Sequence, residues 1–115
     1  NDEILFEHKY SDLIESFKIK NNPLVICTST FIPSLRKNNA IQKVAISTNS
    51  FLIDLSHLTL LDIENYAKNE KNYPIDKTNW KVDGIGLHPG DKGMENIAQQ
   101  IFITVNSLIK LKLEN

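Results

Sequence analysis

Residues 24–30 read LVICTST, and how that run is taken decides the fold. Its apolar residues do not alternate with polar ones, which is the pattern of a strand covered on both faces. FLIDL at 51–55 repeats the pattern. Working outward, Tyr10, Leu13, Ile14 and Phe17 recur at helical spacing and predict an amphipathic helix over residues 7–20. NNP at 21–23 breaks it, Pro33 marks a loop, and Ile41, Val44 and Ala45 give a second helical face. Leu60, Leu61, Ile63, Tyr66 and Ala67 predict a short helix. Met94, Ile97, Ala98, Ile101, Phe102, Val105, Leu108 and Ile109 hold helical register to near the end, with Ile97, Ile101 and Phe102 expected in the core.

The predicted order is helix, strand, helix, strand, helix, loop, helix. Alternation of this kind, with fully apolar strands, implies an α/β fold with a parallel sheet and helices on both faces. Two strands are few against the roughly five of a doubly wound sheet. Residues 1–115 therefore read as the C-terminal portion of a larger single domain. Its sheet is expected to be completed by an N-terminal half or by another chain.

Composition narrows the function. A hydrophobic fraction of 41% and a charged fraction of 23% are ordinary globular values and argue against disorder. Net charge is −1, the isoelectric point is about 6.3, and no Lys/Arg cluster exceeds a pair, which argues against nucleic acid or an anionic membrane as partner. The lone Cys27 excludes an internal disulfide and leaves the compartment open; at the end of a buried strand it reads as inert core. No apolar run approaches the ~20 residues of a membrane span. No signal-peptide pattern is present, but the abrupt opening NDEILFEHKY leads us to expect a preceding segment.

Between residues 68 and 90 lies KNEKNYPIDKTNWKVDGIGLHPG, a long polar stretch. Loops of that length are usually functional or disordered, and Tyr73 and Trp80 argue for function, either lining a sugar or acyl pocket or pinning the loop. The chain's 4 glycines, Gly84, Gly86, Gly90 and Gly93, all fall beside His88. Ligands of open α/β sheets bind at the carboxyl ends of the strands, so Cys27 to Thr30, Leu55 to His57 and the His88 loop are expected at one edge. Pro89 restricts His88 to extended backbone. Gly86 and Gly90 supply positive φ or close approach, and Asp91 is placed to cap the last helix. A general base needs such a stiffly held imidazole. The competing reading is a surface histidine in a turn before a helix.

HPGDKGMENIAQQI at 88–101 resembles the last sequence block of the SGNH/GDSL hydrolases, in which an HP…G…IA pattern carries the catalytic histidine. YSDLIESFKIKNNPLVICTSTFIP and FLIDLSHL are similar to that family's middle portion, so the resemblance runs from about residue 9 to 106. It implies a three-layer α/β/α sandwich of flavodoxin-like type. It also implies a serine esterase or acylhydrolase acting on a small acylated substrate such as a carbohydrate ester, with His88 as base and then acid. No cofactor and no metal are implied.

The chain departs from the family's pattern at two places. Nothing matches the glycine-flanked GDS-type block, so the nucleophile is expected upstream of this chain; Ser29 and Ser56, though expected near the right edge, lack that turn. The position three residues before the histidine, usually Asp in the family, is Ile85. Asp83, five residues before, is the substitute that would orient the imidazole, with a backbone carbonyl as the alternative. Asn1, opening the chain as Asn-Asp, matches the oxyanion asparagine of the family's GxND-like block.

Asp54 in its strand reads as a structural hydrogen-bonder, and His8 and His57 as structural or solvated. No His, Cys, Asp or Glu spacing suggests a metal site. The rival to the esterase is a non-catalytic module of the same kind that binds glycan or a partner protein. A third candidate, a flavodoxin-like nucleotide binder, would need a phosphate loop upstream and gives His88 no role.

Overall fold

In the computed structural model the structure describes residues 2–70 and 85–115. The chain divides into two units, Asn1–Asp54 and Leu55–Asn115.

The first unit is built from α1 (Asp2–Asn21), β1 (Ile26–Thr28), α2 (Leu35–Ser47) and β2 (Phe51–Ile53). Asp2 and Glu3 in the first turn of α1, and Lys18 and Lys20 in the last, complement the helix dipole. The helix ends at Asn22, whose φ of 42° lies in the left-handed region, and Pro23 follows. At the end of α2 the amide of Asn49 donates to the Ile46 carbonyl at 3.1 Å, and that of Ser50 to Ala45 at 2.8 Å. With Asn49 at φ 51°, this is a Schellman termination, and it turns the chain directly into β2. The two strands pair in parallel, Ile26 with Phe51, Cys27 with Leu52 and Thr28 with Ile53. Ile14, Cys27, Ile41, Val44 and Ala45 form the core, with Tyr10 and Val25 against it.

The second unit holds α3 (His57–Leu61), three 3₁₀ turns at Ile63–Asn65, Ala67–Asn69 and Ile85–Leu87, and α4 (Asp91–Glu114). Its most enclosed side chain is polar: Asn65 is 1% exposed. The Asn65 amide nitrogen donates to the Leu58 carbonyl at 2.7 Å, and its side-chain oxygen accepts from Asn96 of α4, also at 2.7 Å. Both ends of the amide are thus satisfied, which removes the penalty that burial would otherwise carry.

The element order and the parallel pairing follow the sequence reading, but the three-layer α/β/α sandwich does not. The described residues are mostly helical and hold a sheet of only two strands, each three residues long. An unalternating apolar run specifies a strand without specifying how many neighbours cover it. β2 shows the difference, because Phe51 is 43% and Leu52 37% exposed, so the second strand is not covered on both faces. The last helix also departs: Phe102 is 61% exposed, Ile101 is exposed and Ile97 half-buried, not the expected core. In α1, Ile14 is buried but Leu13 and Phe17 are exposed.

Candidate functional site

His88 stands in the segment that joins the Ile85–Leu87 turn to α4. Its carbonyl accepts the Ala67 amide at 2.9 Å, Pro89 forms an isolated antiparallel bridge with Tyr66, and the Gly90 amide donates to the Asn65 carbonyl at 3.0 Å. The Asp91 amide donates to the carboxylate of Glu70. Four consecutive residues, 88 to 91, are therefore tied to the segment 65–70. The side chain of His88 is exposed, and among the described residues nothing hydrogen-bonds to its imidazole. The backbone of this turn is thus held at four points, while the imidazole stands exposed.

Among the described residues no glycine has positive φ, and Gly90, the N-cap of α4, sits at φ −82°. Of the two roles expected, positive φ or close approach, Gly90 serves the second, and Gly93 does the same. A Cβ on Gly90 would overlap the Glu70 carboxylate and stand 3.0 Å from the Ala67 Cα. A Cβ on Gly93 would overlap the Asn65 carbonyl oxygen and stand 2.9 Å from the Pro89 Cβ. Asp91 does not cap α4; it lies in the first turn, and the acceptor for its amide is Glu70, a carboxylate at the positive end of the helix dipole.

One residue along, Lys92 bridges two carboxylates, Asp62 at 2.5 Å and Glu64 at 2.7 Å. That hydrogen bond from Lys92, helped by the Glu64 amide, holds the Asp62 carboxyl below its ordinary range, and the same pairing raises Lys92. These contacts clamp the start of α4 to the 62–65 turn.

Asp83 and Asn1 lie outside the described residues, as do Tyr73 and Trp80. Ser29 is 6% exposed and its hydroxyl donates to Asp54 Oδ1 at 3.0 Å. Asp54 thus makes the structural hydrogen bond expected of it, at the carboxyl ends of β1 and β2. Beside it the Thr30 amide donates to Asn38 Oδ1 at 2.9 Å. Ser56 is the N-cap of α3 without a side-chain cap bond. Cys27 is buried, with Tyr10 packed against the same core cluster. His8 is exposed on α1, and His57 opens α3 half-buried.

Between α1 and α2 lies an open groove of about 510 Å³, lined by Glu3, Glu7, Leu35, Arg36 and Lys43 among others. Ion pairs from Arg36 to Glu3 and from Lys43 to Glu7 occupy its charges. Among the described residues no group of three His, Cys, Asp or Glu could hold a metal ion, and no helix is long and apolar enough to cross a membrane.

Sequence reasoning missed Asn65 and Glu70, the residues that hold the histidine turn. Neither carries a local signal: each is one polar residue in a polar stretch, and its role depends on a contact some 20 to 30 residues away. No protein-family model, no curated protein and no solved structure matches this chain.

Proposed function

We propose that this chain supplies the general base of an ester-hydrolase site, with His88 as that base and the serine nucleophile contributed by residues outside the chain. The observation that carries the reading is the exposed imidazole on a turn whose backbone is fixed at 88 to 91. The resemblance of the His88-Pro89-Gly90 block to the histidine block of the SGNH/GDSL hydrolases supports it. The reading rests on this turn and not on the architecture, since the sheet among the described residues has two strands.

In this mechanism neutral His88 accepts the serine proton as the hydroxyl attacks an acyl carbon. The imidazolium then returns that proton to the departing alkoxide, and a water repeats the cycle on the acyl-enzyme. Asp83 is proposed to orient the ring and Asn1 to donate to the oxyanion. The test is turnover of a short-chain acyl ester by the complete protein and by its His88→Ala variant. Loss of turnover with an unchanged helical spectrum supports the assignment; full turnover by the variant removes it.

A second reading, a non-catalytic module that binds a partner protein, is favoured by the exposed apolar residues of α1, where Phe17 is 60% and Ile19 80% exposed. A complete protein without ester turnover that still captures a partner through α1 would select this reading.

A further inference from the structure

Along α4, Ala98, Phe102, Val105 and Ile109 follow one another at spacings of four, three and four residues. That is the seam of a heptad repeat, a and d positions in alternation. Phe102 and Ile109 are 61% and 51% exposed, Ala98 is exposed and Val105 half-buried. The same register continues to Glu95 at the N-terminal end and Lys112 at the C-terminal end. Both are exposed, and neither forms an ion pair among the described residues. Between them the helix carries one further charge, Lys110.

We infer that this seam is a homodimer interface, occupied by α4 of a second copy running antiparallel. The argument is charge complementarity together with register. When the helix is laid antiparallel on itself about a two-fold axis between residues 103 and 104, Phe102 meets Val105 of the other copy. Ala98 then meets Ile109, and Glu95 meets Lys112. Each layer pairs an a with a d position, as antiparallel coiled coils require, and large faces small at both ends of the apolar run. The two-fold operation generates the Glu95–Lys112 pair twice, once at each end, so the surface is complementary to itself. A parallel pairing sets Glu95 against Glu95 and Lys112 against Lys112. The seam from 95 to 112 is about 25 Å long at ~1.5 Å per residue.

The experiment is sedimentation equilibrium of the full protein over a range of concentrations, with charge variants of the seam. Wild type should dimerise, and Phe102→Glu should be monomeric with its helical signal retained. Glu95→Lys and Lys112→Glu should each weaken dimerisation by about tenfold, because each places like charges together at both ends of the seam. The double variant E95K/K112E should return to within about threefold of wild type, because the attraction is restored with its sign reversed. Glu95 and Lys112 are exposed, so these variants keep the test independent of folding. A monomeric wild type, with the seam covered by other parts of the protein or by a different partner, overturns the inference. So does a dimer that Phe102→Glu leaves intact, or a double variant as weak as the single ones.

Discussion

The carbonyl oxygen of Asn65 occupies the place where a Cβ on Gly93 would stand, so the first turn of α4 and the 63–65 turn meet backbone to backbone. Gly93 is needed for this approach and not for any unusual dihedral angle. Gly93→Ala must push the two segments apart, and about 1–3 kcal/mol of stability should be lost, the usual range for an overpacked site. Urea unfolding followed by circular dichroism measures it; an unchanged midpoint would mean that the turn and α4 are not in contact.

Asn65 joins the same two segments through its side chain. Asn65→Ala removes the side-chain donor to the Leu58 carbonyl, which keeps the Asp62 amide, and leaves the Asn96 amide without its acceptor, at a cost of about 2–3 kcal/mol. Asn96→Ala alone should cost less, about 1 kcal/mol, because it breaks one of the two bonds. Equal losses in the two variants would show that the Leu58 bond contributes nothing.

How far the sequence discloses this molecule depends on whether the deciding contact is local. Proline, the left-handed Asn22 and Asn49, and the helical spacing of Ile41, Val44 and Ala45 act within a few residues, and the element order follows from them. Ile97, Ile101 and Phe102 show the limit: their spacing defines an apolar face, but a face is buried only if something covers it. The number of strands is non-local in the same way: two apolar runs suggested a parallel sheet covered on both faces, and the described residues hold two strands, one of them partly exposed. The backbone turn at 88 to 91 was legible from Pro89 and the clustered glycines. Asn65 and Glu70 were not, since each acts on a residue far along the chain.

Asn49 offers a local test. Its φ of 51° is tolerated by asparagine and strained for residues with a bulkier or less adaptable side chain. Asn49→Ala should cost about 1 kcal/mol and Asn49→Gly should be neutral or stabilising, read from thermal midpoints. The reverse order would refute the Schellman ending of α2.

Tyr10 sets an alkaline limit. Burial, with the hydrogen bond to Cys27 adding to it, pushes the Tyr10 hydroxyl from 10.0 up to about 12. The folded state thus holds this proton more tightly than the unfolded chain. Its contribution is complete below about pH 10 and is lost as the pH rises toward about 12. Stability measured across that window should fall in wild type and fall less steeply in Tyr10→Phe. Identical slopes would place the Tyr10 hydroxyl in water.

The account rests most heavily on His88 as an exposed base on a fixed turn, and the most direct measurement is chemical rescue. The complete protein carrying His88→Gly should hydrolyse a short-chain acyl ester at a rate lower by at least about a hundredfold, the usual contribution of general base catalysis. Added imidazole should restore part of that rate with saturation, because the contacts of residues 65 to 70 with the backbone around position 88 leave the vacated site in place. A variant as active as wild type would contradict the account, and so would one whose lost activity imidazole cannot restore while small esters are still bound.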